Sequence, residues 1–135
     1  MASGIYTVFK TALLGGVLDL DTDTIKVGLL DDSHSFNAAN TVWGDVSANE
    51  VSGAGYTAGG ATLASATIGT AGTTAQLTAD DTSWTSATFS AYHAVLHDVT
   101  ATEALLSSID FGGEEIVASG TFTIEWDSSV VYSLA

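Results

Sequence analysis

The sequence predicts a mainly β domain: an antiparallel β-sandwich or barrel of seven to eight short strands, with one short N-terminal helix. Turn-rich segments recur roughly every ten residues, only one stretch shows helical spacing, and no alternation of strands and helices is present. The chain of 135 residues is 46% hydrophobic, which suffices for one core. We therefore predict a single β domain spanning residues 1–135.

Residues 1–18 are predicted to form the N-terminal helix or arm. Ser3 can cap the helix, and Gly15 with Gly16 can end it. A polar hinge over 19–23 then leads into a strand over 24–30, whose apolar residues occupy both faces. The side chains at helical spacing are Ile5, Val8, Phe9, Ala12 and Leu13.

A long loop is predicted over residues 31–60, where no regular pattern persists. Loops of this length inside a domain are usually functional or mobile. Residues 46–51 can form a short strand within it, and Trp43 is the one tryptophan that we expect to be exposed.

The remaining chain reads as strands and turns. Phe122, Ile124 and Trp126 alternate with polar residues and are predicted to face inward. A hairpin is predicted from residues 61–68 and 73–79, joined by a turn at 69–72. The later strands are predicted over 83–85, 88–97, 102–111 (closed by Gly112 and Gly113), 121–126 and 130–134.

The charge balance excludes several functions. Lys10 and Lys26 are the only basic residues, and the formal net charge is −14. Nucleic-acid binding requires Lys and Arg side chains that neutralise phosphates, so we expect no nucleic-acid partner. The chain also lacks the Arg or Lys side chains that hold the phosphates in most phosphoryl-transfer sites. The absence of Cys excludes disulfides and thiol catalysis. No apolar stretch approaches the roughly 20 residues of a membrane span, so we expect no membrane partner.

The carboxylates of Asp19, Asp21 and Asp23 resemble the opening of a calcium loop. An EF-hand needs glycine at its sixth position and glutamate at its twelfth, and Thr24 and Leu30 stand there instead. We therefore expect a solvated turn, a fold that does not depend on metal, and no cofactor. A weak cation site of another type remains an alternative.

Three further residue sets raise the question of a site: a histidine pair, five carboxylates and the three tryptophans. His93 and His97 would ligate one metal on a helix, but on a strand they stand about 13 Å apart, so we predict a solvent-facing pair that titrates near neutral pH. A paired-carboxylate hydrolase or a sugar-stacking platform is a formal alternative, yet solvated acids and core tryptophans explain the pattern better, and we expect no enzymatic activity. The residues concerned are Asp110, Glu114, Glu115, Glu125 and Asp127, with Trp43, Trp84 and Trp126.

Six segments, which together cover most of the chain, carry a resemblance to known proteins: Gly4–Gly15, Leu18–Asp31, Val46–Gly60, Ala79–Trp84, Ser107–Gly112 and Gly120–Trp126. Through them the chain resembles a family of small virion-associated proteins of tailed bacteriophages and prophages. The resemblance implies a capsid decoration (cement) protein that binds the major capsid protein on the outer surface of the virion, after assembly in the host cytoplasm. It also implies a homo-oligomer, a trimer or dimer. A tail- or fibre-associated recognition module is the alternative.

We expect the partner contacts on the N-terminal arm and the long loop, because both carry large apolar side chains that need cover. Removal of residues 1–14 should then abolish particle binding and leave a folded monomer. In the alternative, the helix closes the core of its own sandwich. The candidate interface residues are Ile5, Tyr6, Val8, Phe9, Leu13, Phe36 and Trp43.

Overall fold

The computed structural model describes residues 3–134, and over this range the chain is mainly β, with two antiparallel sheets and one α-helix. The predicted fold class is confirmed, and the two open sheets make it sandwich-like. The elements are β1 (Gly4–Ile5), α1 (Thr7–Leu14), β2 (Ile25–Leu30), β3 (Ala61–Thr62), β4 (Thr67–Ala71), β5 (Thr74–Thr78), β6 (Thr82–Asp98), β7 (Ala104–Ile124) and β8 (Val130–Leu134), with short 3-10 turns at Trp43–Asp45, Ser47–Asn49 and Asp127–Ser129.

The larger sheet has five strands in the order β1-β7-β6-β2-β3, and the smaller has three in the order β4-β5-β8. The hairpin of β6 and β7, strands of 17 and 21 residues, is the centre of the fold. β2 pairs along the other side of β6 from Ile25 opposite Asp98 to Leu30 opposite His93. The apolar residues on both faces of β2 match this central position.

β6 and β7 are each one continuous strand, whereas the sequence predicts two strands in each. Ala91 lies opposite Glu115 and His93 lies opposite Asp110, so β7 advances five residues while β6 advances two. The extra residues include Gly112, whose φ is +82°. Glycines that were predicted to close a strand therefore form a bulge within it, because a glycine in a strand marks a bulge as readily as an end.

The N-terminal helix is shorter than predicted. The Ser3 hydroxyl does not cap α1 but accepts a hydrogen bond from the backbone N–H of Asp110, at 2.8 Å. The residues between form β1, which pairs with β7. The predicted end is correct, because Gly15 caps the C-terminus and Gly16 follows with a φ of +72°.

The predicted strand over 61–68 is divided between the two sheets. β3 pairs with β2, whereas β4 pairs with β5 around a turn at Gly72 and Thr73. Ser65 lies between them at a bend, with a φ of 56°. The tight hairpin was predicted correctly in kind, but its turn lies later than the predicted 69–72.

The main core lies between the two sheets and is closed by α1. Phe9 of the helix belongs to this core at 6% exposure, with Leu77 and Leu106 from the two sheets. Trp84 and Trp126 are buried there as predicted. The helix therefore covers its own sandwich, which is the second of the two alternatives for the N-terminal segment.

A second core lies on the opposite face of the larger sheet, beneath the segment 31–60. This segment contains no strand of either sheet. In place of the strand predicted over 46–51, a 3-10 turn is followed by an isolated bridge between Glu50 and Leu30. The core residues are Tyr6, Leu30, Trp43, Val46, Val95 and Leu105.

Tyr56 fixes the distal half of this segment. Its hydroxyl donates to Glu50 Oε1 at 2.6 Å and accepts the N–H of Leu29 at 3.0 Å. The same Glu50 oxygen accepts the N–H of Gly59 at 2.6 Å. Burial raises the pKa of the Tyr56 hydroxyl, and its hydrogen bond to Glu50 adds to the shift. The long loop is thus held by a part-buried polar network.

Candidate functional site

The predicted contact residues divide between two places. Three of them line a groove beside α1, and the other four belong to the second core or pack against it. Tyr6 is fully buried and Trp43 is 7% exposed, so neither is available as a surface contact of the free chain. The groove residues are Ile5, Phe9 and Leu13. The second-core residues are Tyr6, Val8, Phe36 and Trp43.

This apolar groove lies between α1 and one face of the smaller sheet and has a volume of about 420 Å³. Ile68, Leu77 and Tyr132 stand side by side on β4, β5 and β8, since the strand register pairs Ile68 with Leu77 and Leu77 with Tyr132. The Phe9 ring meets the Tyr132 ring at 5.2 Å. α1 covers only part of this sheet face.

The rim of the apolar groove is exposed and hydrophobic. Ile5 is 43% exposed, Ile68 is 46% exposed and Leu134 is 63% exposed. The charged residues that line the groove are Asp19 and Asp21, both acidic. Among the described residues this is an apolar surface with negative charge at its lip, and the sequence-based candidates included only one of the three exposed rim residues, Ile5.

Trp43 is not exposed, so that prediction is wrong. Its ring stacks on the His97 ring with centroids 4.2 Å apart and planes 10° apart. The edge of the same indole lies against Gly28, where an added Cβ would stand 2.2 Å from the ring. Gly28 therefore has to be a glycine for the indole to lie against β2. A glycine inside an otherwise apolar strand was the sequence signal for this close approach.

The histidines are buried, whereas the sequence predicted a solvent-facing pair. His93 is 2% exposed and His97 is 1% exposed, because the segment 31–60 covers their face of β6. His97 Nε2 lies 2.9 Å from the carbonyl oxygen of Gly59. Burial lowers the pKa of both rings below the ordinary value. The pKa of each ring therefore lies below the neutral range in which the sequence predicts titration.

His34 joins His93 beneath the same cover. The two rings meet edge to face at 4.9 Å, and His34 Nε2 lies 3.0 Å from Ser108 Oγ. Burial lowers the pKa of His34 to about 4, with His93 adding to the shift and Asp31 opposing it. A serine beside a histidine suggests a nucleophile, but Ser108 is 1% exposed and no substrate can reach it. The arrangement is a buried polar contact.

The candidate acids lie on β7 and just after it. Glu115 and Glu125 line a second cleft, of about 500 Å³, together with Phe122 and Trp126. Both carboxylates are exposed to solvent, as predicted for outward positions. Trp43, Trp84 and Trp126 are all buried, so they provide no sugar-stacking platform. The other three acids, Asp110, Glu114 and Asp127, do not line this cleft.

The acidic turn satisfies its own backbone. Asp23 Oδ2 accepts the N–H of Asp19 at 3.0 Å, and Asp19 Oδ1 accepts the N–H of Asp21 at 3.2 Å. Within residues 3–134, no three His, Asp or Glu side chains are placed to hold a metal ion together. These hydrogen bonds describe an ordered acidic turn.

Asp98 was not anticipated by the sequence analysis. It is fully buried at the end of β6, and its Oδ1 accepts the N–H groups of Thr100 and Ala101, both at 3.0 Å. Burial, with a hydrogen bond to the carboxyl of Asp23, raises the pKa of Asp98 to about 6. When the carboxyls of Asp98 and Asp23 are both ionised, Oδ2 of Asp98 has no hydrogen-bond donor beside it. A proton on one of the two carboxyls supplies that donor.

We expect the Asp98→Asn variant to be more stable than the wild type by about 3 kcal/mol at pH 8, because the pKa of Asp98 is raised from 3.8 to about 6 and each pKa unit corresponds to about 1.4 kcal/mol. The amide keeps Oδ1 as the acceptor for the turn and offers a permanent donor towards Asp23. Urea unfolding followed by tryptophan fluorescence measures the difference.

The stability advantage of Asp98→Asn over the wild type should shrink as the pH falls from 6 to 4. Over this range Asp98 is protonated in the native protein but still ionised in the unfolded chain, so the wild type becomes more stable. Asp80→Asn, which changes an exposed acid, is the control. A destabilised Asp98→Asn protein at pH 8 would contradict the assignment.

Comparison of the chain with family models, with curated proteins and with solved structures found no match. Among the described residues, no helix combines the length and the apolar character that crossing a membrane requires.

Proposed function

We propose that the chain is a structural virion protein: a capsid decoration or cement protein that binds the outer shell of a bacteriophage head, through the major capsid protein, and stabilises it. The observation that carries the proposal is the resemblance over most of the chain, from Gly4–Gly15 to Gly120–Trp126. The physical properties of the chain support it.

A cement protein must stay soluble at high copy number, avoid the packaged genome and present a fixed surface. A net charge of −14 favours solubility and repels polyanions such as the packaged genome. Two cores, one on each face of the larger sheet, anchor the helix and the long segment 31–60. The exposed apolar groove offers a contact that the chain does not cover itself.

The proposal includes a homo-oligomer, a trimer or dimer, on the virion surface, and no role as an enzyme. The buried Ser108 and the solvated carboxylates of Glu115 and Glu125 favour a structural role over the hydrolytic alternative. A tail- or fibre-associated recognition module is the second candidate, supported by the same resemblance to virion proteins.

Copy number separates these candidates. We expect quantitative gel densitometry of purified particles from the phage or induced prophage that carries this gene to show one band of this protein in an amount comparable to the major capsid protein. Cement proteins cover the shell in many copies, whereas tail components are present in few. A minor band would move the assignment to the tail, and absence from purified particles would refute a virion role.

A further inference from the structure

We propose that the apolar groove binds an extended, apolar segment of a partner protein, flanked by basic residues. This inference goes beyond the proposed function, because it concerns the chemistry of the partner and holds for a shell protein, a tail protein or another protein. It rests on the shape of the groove, the exposure of its rim and the sign of its charge.

The shape of the groove suits an extended segment. Ile68, Leu77 and Tyr132 form a row across three neighbouring strands. Two strand spacings amount to about 10 Å, which an extended chain crosses in about three residues. β8 is an edge strand, so one of its sides pairs with no other strand of the described chain.

The exposed apolar side chains at the rim of the groove are typical of a surface that a binding partner covers. The described residues include six large hydrophobic side chains that are exposed, and three of them line the groove. Leu14 and Val17 lie at the end of α1 and just beyond it, next to the groove wall, at 90% and 63% exposure. Ile116 on β7 does not line it. Exposed apolar residues that cluster in this way mark binding sites.

The sign of the charge selects the partner. Asp19 and Asp21 lie at the lip of the groove, and neither Lys10 nor Lys26 lines it. A second copy of the chain would bring another charge of −14 against these carboxylates, which disfavours self-association through this face. A segment with Lys or Arg beside its apolar residues would bury the rim and place its cations near Asp19 and Asp21.

Two matched peptides test the proposal. One is Lys-Lys-Val-Leu-Val-Ile-Val-Lys-Lys, and the other has the same five apolar residues flanked by Glu. Each is titrated into the isotope-labelled full chain, and backbone amide shifts are followed by NMR. We expect saturable shifts at groove residues such as Leu77 and Leu134 with the Lys peptide, and at least tenfold weaker binding of the Glu peptide.

Variants locate the site. Ile68→Asp and, separately, Leu134→Asp should each weaken binding of the Lys peptide at least tenfold, because both place a charge on the apolar rim. Ile116→Asp is the matched control and should bind as the wild type does, since it changes an exposed isoleucine outside the groove. Asp21→Lys should reduce the difference in affinity between the Lys peptide and the Glu peptide. Asp32→Lys, which changes another exposed acid, should reduce that difference less.

Several results would overturn the proposal. They are equal binding of the two peptides, shifts that avoid the groove, no binding of either peptide, and full binding by folded Ile68→Asp or Leu134→Asp. A concentration-dependent dimer whose contact maps to the groove would assign that face to a second copy instead. None of these results depends on particle composition, so failure here is distinguishable from failure of the virion assignment.

Discussion

Replacement of Gly60 by alanine is expected to lower the free energy of unfolding by about 4 kcal/mol, a large part of the stability of a domain of this size. Gly60 has a φ of +91°, and a Cβ there would stand 2.0 Å from the carbonyl oxygen of Val27. The left-handed conformation contributes roughly 1–2 kcal/mol and the clash with the β2 backbone roughly 1–3 kcal/mol.

Gly59 provides a matched control for this prediction. It has the same φ of +91°, but the nearest atom to an added Cβ is Lys26 Nζ at 3.8 Å. Gly59→Ala should therefore show only the conformational cost, about 1 kcal/mol. The unfolding free energies of both variants, measured in urea, separate the cost of the left-handed conformation from the cost of the clash with β2. Equal losses would show that Gly60 does not approach β2 as closely as described.

The second large effect is a pH-dependent one at His34. Its pKa is about 4 in the folded protein and about 6.5 in the unfolded chain. Below pH 6.5 the unfolded chain binds a proton that the native protein does not, so the contribution of this group to stability falls as the pH drops towards 4. The difference corresponds to about 3 kcal/mol.

His34→Gln removes this titration and keeps a group that can hydrogen-bond to Ser108. Relative to the wild type, the variant should gain about 3 kcal/mol in unfolding free energy between pH 7 and pH 4. The relative stability between pH 8 and pH 7 serves as the control and should be constant. Denaturant unfolding at each pH measures both. Parallel curves from pH 8 to pH 4 would contradict a buried neutral His34.

Asp98 acts in the opposite direction over part of this range, so the pH profile of the wild type alone does not isolate His34. Because the folded pKa of Asp98 is raised to about 6, its protonation favours the native state as the pH falls through 6. Between pH 8 and pH 4 the Asp98→Asn protein should therefore lose more unfolding free energy than the wild type does. Adding His34→Gln should reduce that loss by about 3 kcal/mol, the contribution of His34.

Local sequence patterns predict the fold class, the presence of an N-terminal helix and the glycines that end it. Alternation of apolar and polar residues placed Trp126 inside, as the structure confirms. Sequence periodicity reports local geometry, which is why these features were predictable. It did not predict that β6 and β7 are continuous, since Gly112 has the same local signature in a bulge as in a turn.

The free surfaces depend on contacts between segments that are distant in the sequence. Local patterns assign His93, His97 and Trp43 to solvent, yet the segment 31–60 folds over the two histidines, and its own Trp43 stacks on His97. The raised pKa of Asp98 comes from its burial and from the carboxyl of Asp23, which lies 75 residues away in the chain. Burial and charge proximity are properties of long-range contacts, so no local pattern encodes them. The apolar groove also depends on long-range contacts, since residues from α1, β4, β5 and β8 form it together.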